Sequence, residues 1–400
     1  MSILAIIKVK RISFAINNMK YNFDQIADRK NTNSIKWDVK DNELPMWIAD
    51  MDFMVFPKIK DALIEAVNKG AYGYTYPTKE FFLAYQEWWN KRHQLFIDTK
   101  EMVYVSGVVS ALDSLVRLLT KENDAVLILS PSYNCFYSVV KNNNRQVITS
   151  DLLYKDNDFI IDYDALKDLF ITRQIKLLIF CNPHNPTGKI WRKEELIRVT
   201  SLCKEYNVYF ISDEIHCDIV EPGYCYTPAL SVYDDAITCL SPSKVFNLAG
   251  LQSAVIVIKN KELREKAQAA FYHDDVGEPN YFVESATVAA YQSGEEYVDE
   301  LNTYIASNKK YVVNYFAKNL PRLKVISKQA TYLLWIDISS YQIPGDIFVK
   351  ELRKKTGLFV TEGIHYGDNS KYFIRMNVAT SLLNVKDAMK RLLEYLKEKE

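Results

Sequence analysis

The stretch NVYFISDEIH, from Asn207 to His216, opens as an unbroken apolar run and closes on two acids and a histidine. A run without polar alternation reads as a strand covered on both faces, and its abrupt polar end sets those charges at the edge of a sheet. The same grammar recurs on either side, in AVLILS from Ala125, KLLIFCNP from Lys176, ITCLSPSK from Ile237 and SAVIVIK from Ser253. Amphipathic helical patterns lie between these runs. One sets Val109, Leu112, Leu115, Val116 and Leu119 on a single face, and another reads RKEELIRVTSLCKEY from Arg192. Strands alternating with helices predict an α/β fold built on a mostly parallel, helix-covered sheet.

After Gly294 the rhythm changes to a long helix through Tyr311, the run TYLLWIDIS, a helix near Gly345 to Lys355, the run FIRMNVA and a charged final helix. This tail predicts a smaller α+β domain. We therefore expect residues 1–60 to form an N-terminal arm and part of the small domain, 61–295 a large domain, and 296–400 the small C-terminal domain. A chain of 400 residues with 48% hydrophobic content can bury two such cores, and no repeat or flexible linker separates them.

Fifty basic and fifty acidic side chains cancel, which argues against nucleic acid or an anionic membrane as partner and points to a small ligand. The six cysteines are scattered without a CxxC pair, as expected of a reducing cytoplasm. The first eighteen residues place an apolar run before their basic residues, the reverse of a secretory signal, and read as a loose extension. No stretch has the apolar length of a membrane span, so the expectation is a soluble, cytoplasmic protein.

In sheets of this kind the ligand crevice lies beyond the carboxyl ends of the strands. Those ends read Ser130-Pro131-Ser132-Tyr133, Asn182 to Gly188 (NPHNPTG), Asp213 to His216 (DEIH), and Ser241-Pro242-Ser243-Lys244. A lysine in a loop is ordinarily a solvated surface residue. Beside this company Lys244 suits a different task. An enzyme of pyridoxal 5'-phosphate (PLP) needs an amine for a Schiff base, a carboxylate for the pyridine nitrogen, a donor for the ring oxygen, phosphate donors and an aromatic face. Lys244, Asp213, Asn185 and Tyr133 fill four of these roles, and His216 lies within reach of the ring edge. For the phosphate, the amides of Val108 and Val109 follow Ser106-Gly107 at a helix start, with hydroxyls from Ser241 and Ser243 nearby. An ion site built from Asp213, Glu214, His216, Cys217 and Cys225 is disfavoured, because consecutive strand residues face opposite ways. There is no GxGxxG and no Walker loop for a dinucleotide or nucleotide.

These motifs, in this order and separation, resemble fold-type I PLP enzymes of the class I/II aminotransferase superfamily, whose fold is that of aspartate aminotransferase. More narrowly the chain is similar to the MalY/PatB subgroup of cystathionine β-lyases, or C–S lyases. The matching text is Thr32 to Asp38 (TNSIKWD), Leu44 to Phe53 (LPMWIADMDF), Tyr72-Gly73-Tyr74, Ser212 to His216, and Ser243 to Leu251 (SKVFNLAGL). The resemblance implies that Lys244 carries the cofactor, Asp213 partners the pyridinium, Asn185 donates to the ring oxygen and Tyr133 stacks on the ring. It also implies that Arg375 grips the substrate carboxylate, with Asp50 on the substrate side. Tyr74 would reach across a homodimer interface to the neighbour's phosphate.

The implied chemistry is β-elimination from L-cystathionine or a related cysteine S-conjugate, giving a thiol, pyruvate and ammonia. Transamination on the same site, or a regulator-binding role, are the alternatives. Two departures stand out. Gln252 occupies the place, eight residues after Lys244, where aspartate aminotransferases carry a phosphate-binding arginine, and the 363–368 loop (GIHYGD) is poorer in glycine than is usual in the subgroup.

Overall fold

The computed structural model describes residues 19–326 and 329–399. The first eighteen residues, read above as an extension, lie outside it.

Seven strands form the main sheet: β1 (Met102–Val105), β2 (Ala125–Ser130), β3 (Gln146–Asp151), β4 (Leu177–Cys181), β5 (Tyr209–Asp213), β6 (Ile237–Leu240) and β7 (Ala254–Val257). Their order is β1-β7-β6-β5-β4-β2-β3, and β7 alone runs against its neighbours. The central strands are buried along their whole length, which is why they read as continuous apolar runs. Edge strand β3, with burial only at Ser150, carries no such run and escaped the sequence reading.

Helices cover the sheet on both faces: α1 (Pro57–Asn68), α2 (Lys79–His93), α3 (Val108–Leu119), α4 (Asn134–Asn142), α5 (Tyr163–Thr172), α6 (Lys193–Glu205), α7 (Lys261–His273) and α8 (Val283–Ser293). The apolar face of α3 is buried at Val108, Leu112, Leu115, Val116 and Leu119, while Val109 is exposed. Helix α9 (Glu295–Asn319) is longer than its pattern to Tyr311 suggested. Its first turns bury Tyr297, Val298 and Leu301 in the large core, and Val312 and Phe316 enter a second core.

That second core lies under the antiparallel sheet β8-β9-β11-β10, made of β8 (Lys324–Ile326), β9 (Leu333–Asp337), β10 (Thr361–Glu362) and β11 (Phe373–Asn377). Helices α10 (Gly345–Thr356) and α11 (Leu382–Leu396) cover it. Leu44 and Met46, far away in sequence, belong to this core, because Leu44–Pro45 pairs in parallel with Leu358–Phe359. The segment after them then crosses from the small sheet to the large one.

Candidate active site

Every functional loop springs from the same end of the parallel strands. Cys181 and Asp213 are paired across β4 and β5, and Asp213 and Cys239 across β5 and β6, so the loops after these strands open side by side. A cavity with about 230 Å³ of water-accessible space lies over them. Its walls include Val108, Val109, Tyr133, Asn185, Asp213, His216, Ser241, Ser243 and Lys244. Nine of the twelve residues picked from the sequence therefore meet in one crevice.

Lys244 is half-buried, and its Nζ donates to the Ala49 carbonyl at 3.1 Å. Burial lowers its pKa below that of an ordinary lysine; the Arg375 charge acts in the same sense, while Asp50 and Asp213 oppose it. An amine so placed gives up its proton more readily, as a Schiff-base former and proton carrier requires. Burial pushes the Asp213 carboxyl up to about 7, against the Ile215 N–H, which donates to it at 3.2 Å, and the Lys244 charge. A cation held against Asp213 would restore its charge, and a pyridinium nitrogen is such a cation. His216 is held well below the usual imidazole range by burial and by the cations of Lys244 and Arg375, so it stays neutral. Its buried Nδ1 has no hydrogen-bond partner among the described residues.

The phosphate end is built from backbone. Gly107, with φ +102°, turns the chain into α3, and no side chain caps the first amides of that helix. A Cβ at Gly107 would meet nothing within 4 Å, so the space before the helix end is open to an anion. The hydroxyls are differently placed from expectation. Ser241 Oγ donates to the Ser253 carbonyl at 2.6 Å and lies 2.8 Å from Ser243 Oγ, so either reaches a phosphate only by turning from these partners. Gln252, at a positive φ of 53°, lines the same end. Its uncharged amide leaves more of the phosphate charge to the helix terminus.

Arg375, on β11, reaches the crevice from the small sheet. One Nη donates to Asn185 Oδ1 at 3.1 Å and the other to the Trp47 carbonyl at 3.0 Å, while the buried Nε has no partner among the described residues. The guanidinium also lies over the Tyr366 ring, 4.7 Å from its centre. Because Asn185 accepts through oxygen, its amide NH₂ is directed elsewhere and is available as a donor. The burial of Tyr133 raises its phenol pKa, keeping it a neutral aromatic wall.

The segment 46–52 was legible only as a motif, and the structure gives it a mechanical role. Its carbonyls take Lys244 at Ala49, Arg375 and Thr361 at Trp47, and Asn377 at Ile48 and Asp50. Asp50 itself departs from expectation, since its carboxylate pairs with Arg29 at 2.6 Å and does not line the cavity. Tyr74 lies fully exposed on the irregular stretch between α1 and α2, away from this crevice. Asp213 and His216 face the cavity, whereas Glu214 turns into a buried network with Tyr226, Ser212, Asn182 and the Ala229 amide. Consecutive residues thus point apart, and Cys217 opens on a different cavity.

Amine, buried acid, uncapped helix end and aromatic wall fit PLP, and the unpartnered His216 Nδ1 and Arg375 Nε leave polar atoms for cofactor and substrate. On this sheet order and constellation, the protein is a PLP enzyme of fold type I. Residues 44–392 match the family model described as aminotransferase class I and II. The chain is 36% identical over 382 residues to cystathionine beta-lyase PatB of Bacillus subtilis (strain 168), covering 93% of this chain and 98% of that protein. It is 30% identical over 366 residues to protein MalY of Escherichia coli (strain K12), covering 89% and 94%. A PLP-bound C–S lyase from Staphylococcus hominis superposes with a TM-score of 0.90 at 34% identity, over 95% of this chain and 99% of that one. The chain belongs to the class I and II aminotransferase family and, within it, to the MalY/PatB-like subgroup.

Proposed function

We infer that this protein is a PLP-dependent carbon–sulfur β-lyase that cleaves L-cystathionine or a related cysteine S-conjugate to a thiol, pyruvate and ammonia. The observation that carries the reading is the convergence of Lys244, Asp213 and Arg375, from three distant stretches, on one buried crevice. Relatives named cystathionine beta-lyase and C–S lyase support the reaction class.

Bound PLP supplies an electron sink for the pair left at Cα when a proton departs. The chain's residues do the rest. Arg375 holds the substrate carboxylate through its planar fork, with Asn185 and Trp47 fixing the guanidinium plane. Asp213 would hold the protonated pyridine nitrogen. With the cofactor and substrate held there, Lys244 Nζ would be the base that takes the Cα proton. The pair left at Cα would form the Cα=Cβ bond as the Cβ–S pair leaves with sulfur, which takes a proton as a thiol, and water would hydrolyse the released three-carbon enamine to pyruvate and ammonia.

The direct test is incubation with cystathionine in the absence of any 2-oxo acid. Homocysteine and pyruvate in equal amounts support the lyase; turnover that requires an amine acceptor makes the enzyme an aminotransferase.

The same reading makes the enzyme a cytoplasmic homodimer in which Tyr74, with exposed Tyr72 and Tyr76 on either side, reaches the partner's phosphate. It also divides the chain at residues 60 and 295; the core that Leu44 and Met46 share with the C-terminal elements supports a small domain drawn from both ends of the chain. Replacing Tyr74 with Phe removes one hydrogen bond worth about 1 kcal/mol, so PLP affinity should fall roughly fivefold. Equilibrium dialysis reads that loss, and unchanged affinity refutes the role.

A further inference from the structure

Behind the segment that carries Asp213 and His216 lies a second cavity of about 590 Å³, on the side away from the cofactor crevice. We propose that His93, Cys217 and Asp218 form there a site for one divalent transition-metal ion of the zinc class. His93 comes from the end of α2 and the other two from the loop after β5, so no sequence motif joins them.

The three residues each present one ligand atom, and those atoms all lie within 4.8 Å of one another. Bonds of about 2.0–2.3 Å in a tetrahedron set ligand atoms roughly 3.3–3.8 Å apart. His93 Nε2 and Asp218 Oδ1, which hydrogen-bond at 2.9 Å, must therefore give up that bond and part slightly as an ion enters between them. A thiol and an imidazole among the donors select zinc over magnesium or calcium.

A separate observation also calls for a cation. Asn302 is only 6% exposed, and its Oδ1 has no hydrogen-bond partner among the described residues, although its Nδ2 donates to the Asp218 carbonyl at 2.8 Å. Glu221 Oε2 is likewise a buried atom without a partner among the described residues, and both residues line this cavity. Two orphaned acceptors facing one space require a donor. Water on the fourth position of a three-ligand zinc supplies donors to both.

The local charge agrees. Asp218, Glu221, Glu295 and Asp299 line the cavity against two fixed cations, Lys91 and Arg92. Arg92 Nε lies 3.3 Å from Asp218 Oδ1, which counts against a second cation, but its Nη donates to Asp299 at 2.9 Å and can keep that partner. Trp88 Nε1, 3.0 Å from Asp218 Oδ1, fixes the carboxylate from behind as an outer partner does in metal sites. Coordination by Cys217 releases its thiol proton to solvent. Because Cys217 follows His216 directly, the ion would brace the back of the segment that holds Asp213 and His216 in the crevice.

The test uses the PLP-loaded enzyme, stripped with a chelator and dialysed against Zn²⁺ buffered by a competing chelator, with bound metal counted by mass spectrometry. Wild type should hold about one Zn²⁺ per chain that Cys217→Ala does not hold. Affinity should fall at least about a hundredfold in Cys217→Ala and in His93→Gln, and about tenfold in Asn302→Ala. Cys225→Ala, an exposed thiol of the same cavity outside the proposed set, should bind as wild type does. Co²⁺ in place of Zn²⁺ should give a thiolate charge-transfer band that Cys217→Ala abolishes. Equal zinc in wild type and Cys217→Ala, or a loss confined to Cys225→Ala, overturns the proposal. Should one variant fail to fold, the other ligand substitution and the cobalt band still decide it.

Discussion

Arg375→Ala is the sharpest probe of the crevice. The guanidinium has five N–H donors, of which one is spent on Asn185 Oδ1 and one on the Trp47 carbonyl. The rest, including the unpartnered Nε, remain for a carboxylate. Two charge-assisted hydrogen bonds to the substrate are worth about 1.5–3 kcal/mol each, together about 3–6 kcal/mol. At about 1.4 kcal/mol per decade, kcat/KM for cystathionine should fall by about 10² to 10⁴. Pyruvate release, coupled to NADH oxidation by lactate dehydrogenase, gives the number. Removing the side chain also strands Asn185 and the Trp47 carbonyl, so a loss of activity could come from a damaged site. A thioether amine without the carboxylate separates the two: its slow Cα-proton exchange, followed by deuterium incorporation, should be affected no more than about threefold. Arg375→Lys, which keeps the charge but loses the fork, should fall between the extremes. A cystathionine kcat/KM within about threefold of wild type in Arg375→Ala refutes the assignment, as does an equal loss with the carboxylate-free amine.

Lys244→Ala should abolish the borohydride-sensitive Schiff-base absorption of the holoenzyme and slow pyruvate release by at least about 10³; persistence of that band places the linkage on another lysine. Asp213 makes a prediction about the apoprotein. Its pKa is raised from an ordinary 3.8 to about 7, so between those values the folded chain holds a proton that the unfolded chain has lost. Stability therefore falls as pH rises through this window, by roughly 4 kcal/mol at most. Urea unfolding of the apoprotein at pH 5 and pH 7.5 should show a smaller decline in Asp213→Asn than in wild type, and equal slopes would mean that the carboxyl is not desolvated. Lys36 and Asp52 form an ion pair at 2.8 Å with both side chains 1% exposed, and Lys36 Nζ also donates to the Asp50 carbonyl. Lys36→Met strands the Asp52 charge and should cost about 3–5 kcal/mol in urea unfolding. A loss under about 1 kcal/mol would show that Trp37, whose Nε1 donates to Asp52 at 2.8 Å, holds the carboxylate sufficiently by itself.

The main sheet and the chemistry at its edge were legible in the chain because both are local. A strand covered on two faces must be apolar throughout, and the residue at which polarity returns marks the strand end, as at Ser130, Asn182, Asp213 and Ser241. Lys244, Asp213, Asn185, His216 and Tyr133 follow from those ends, since parallel strands deliver all their carboxyl ends to one side. Edge strand β3 left no such trace, because one open face permits polar residues.

Which distant groups meet is another matter. The pairing of Asp50 with Arg29, the carbonyls that Trp47 and Ala49 lend to Arg375 and Lys244, and the approach of His93 to Cys217 across more than a hundred residues depend on how separate elements dock. A backbone carbonyl is the same in every residue and carries no signature of its partner. The order of residues thus dictates where reactive side chains leave the sheet, through burial and periodicity, whereas the packing of one layer on another decides which of them touch, through contacts that no local pattern encodes.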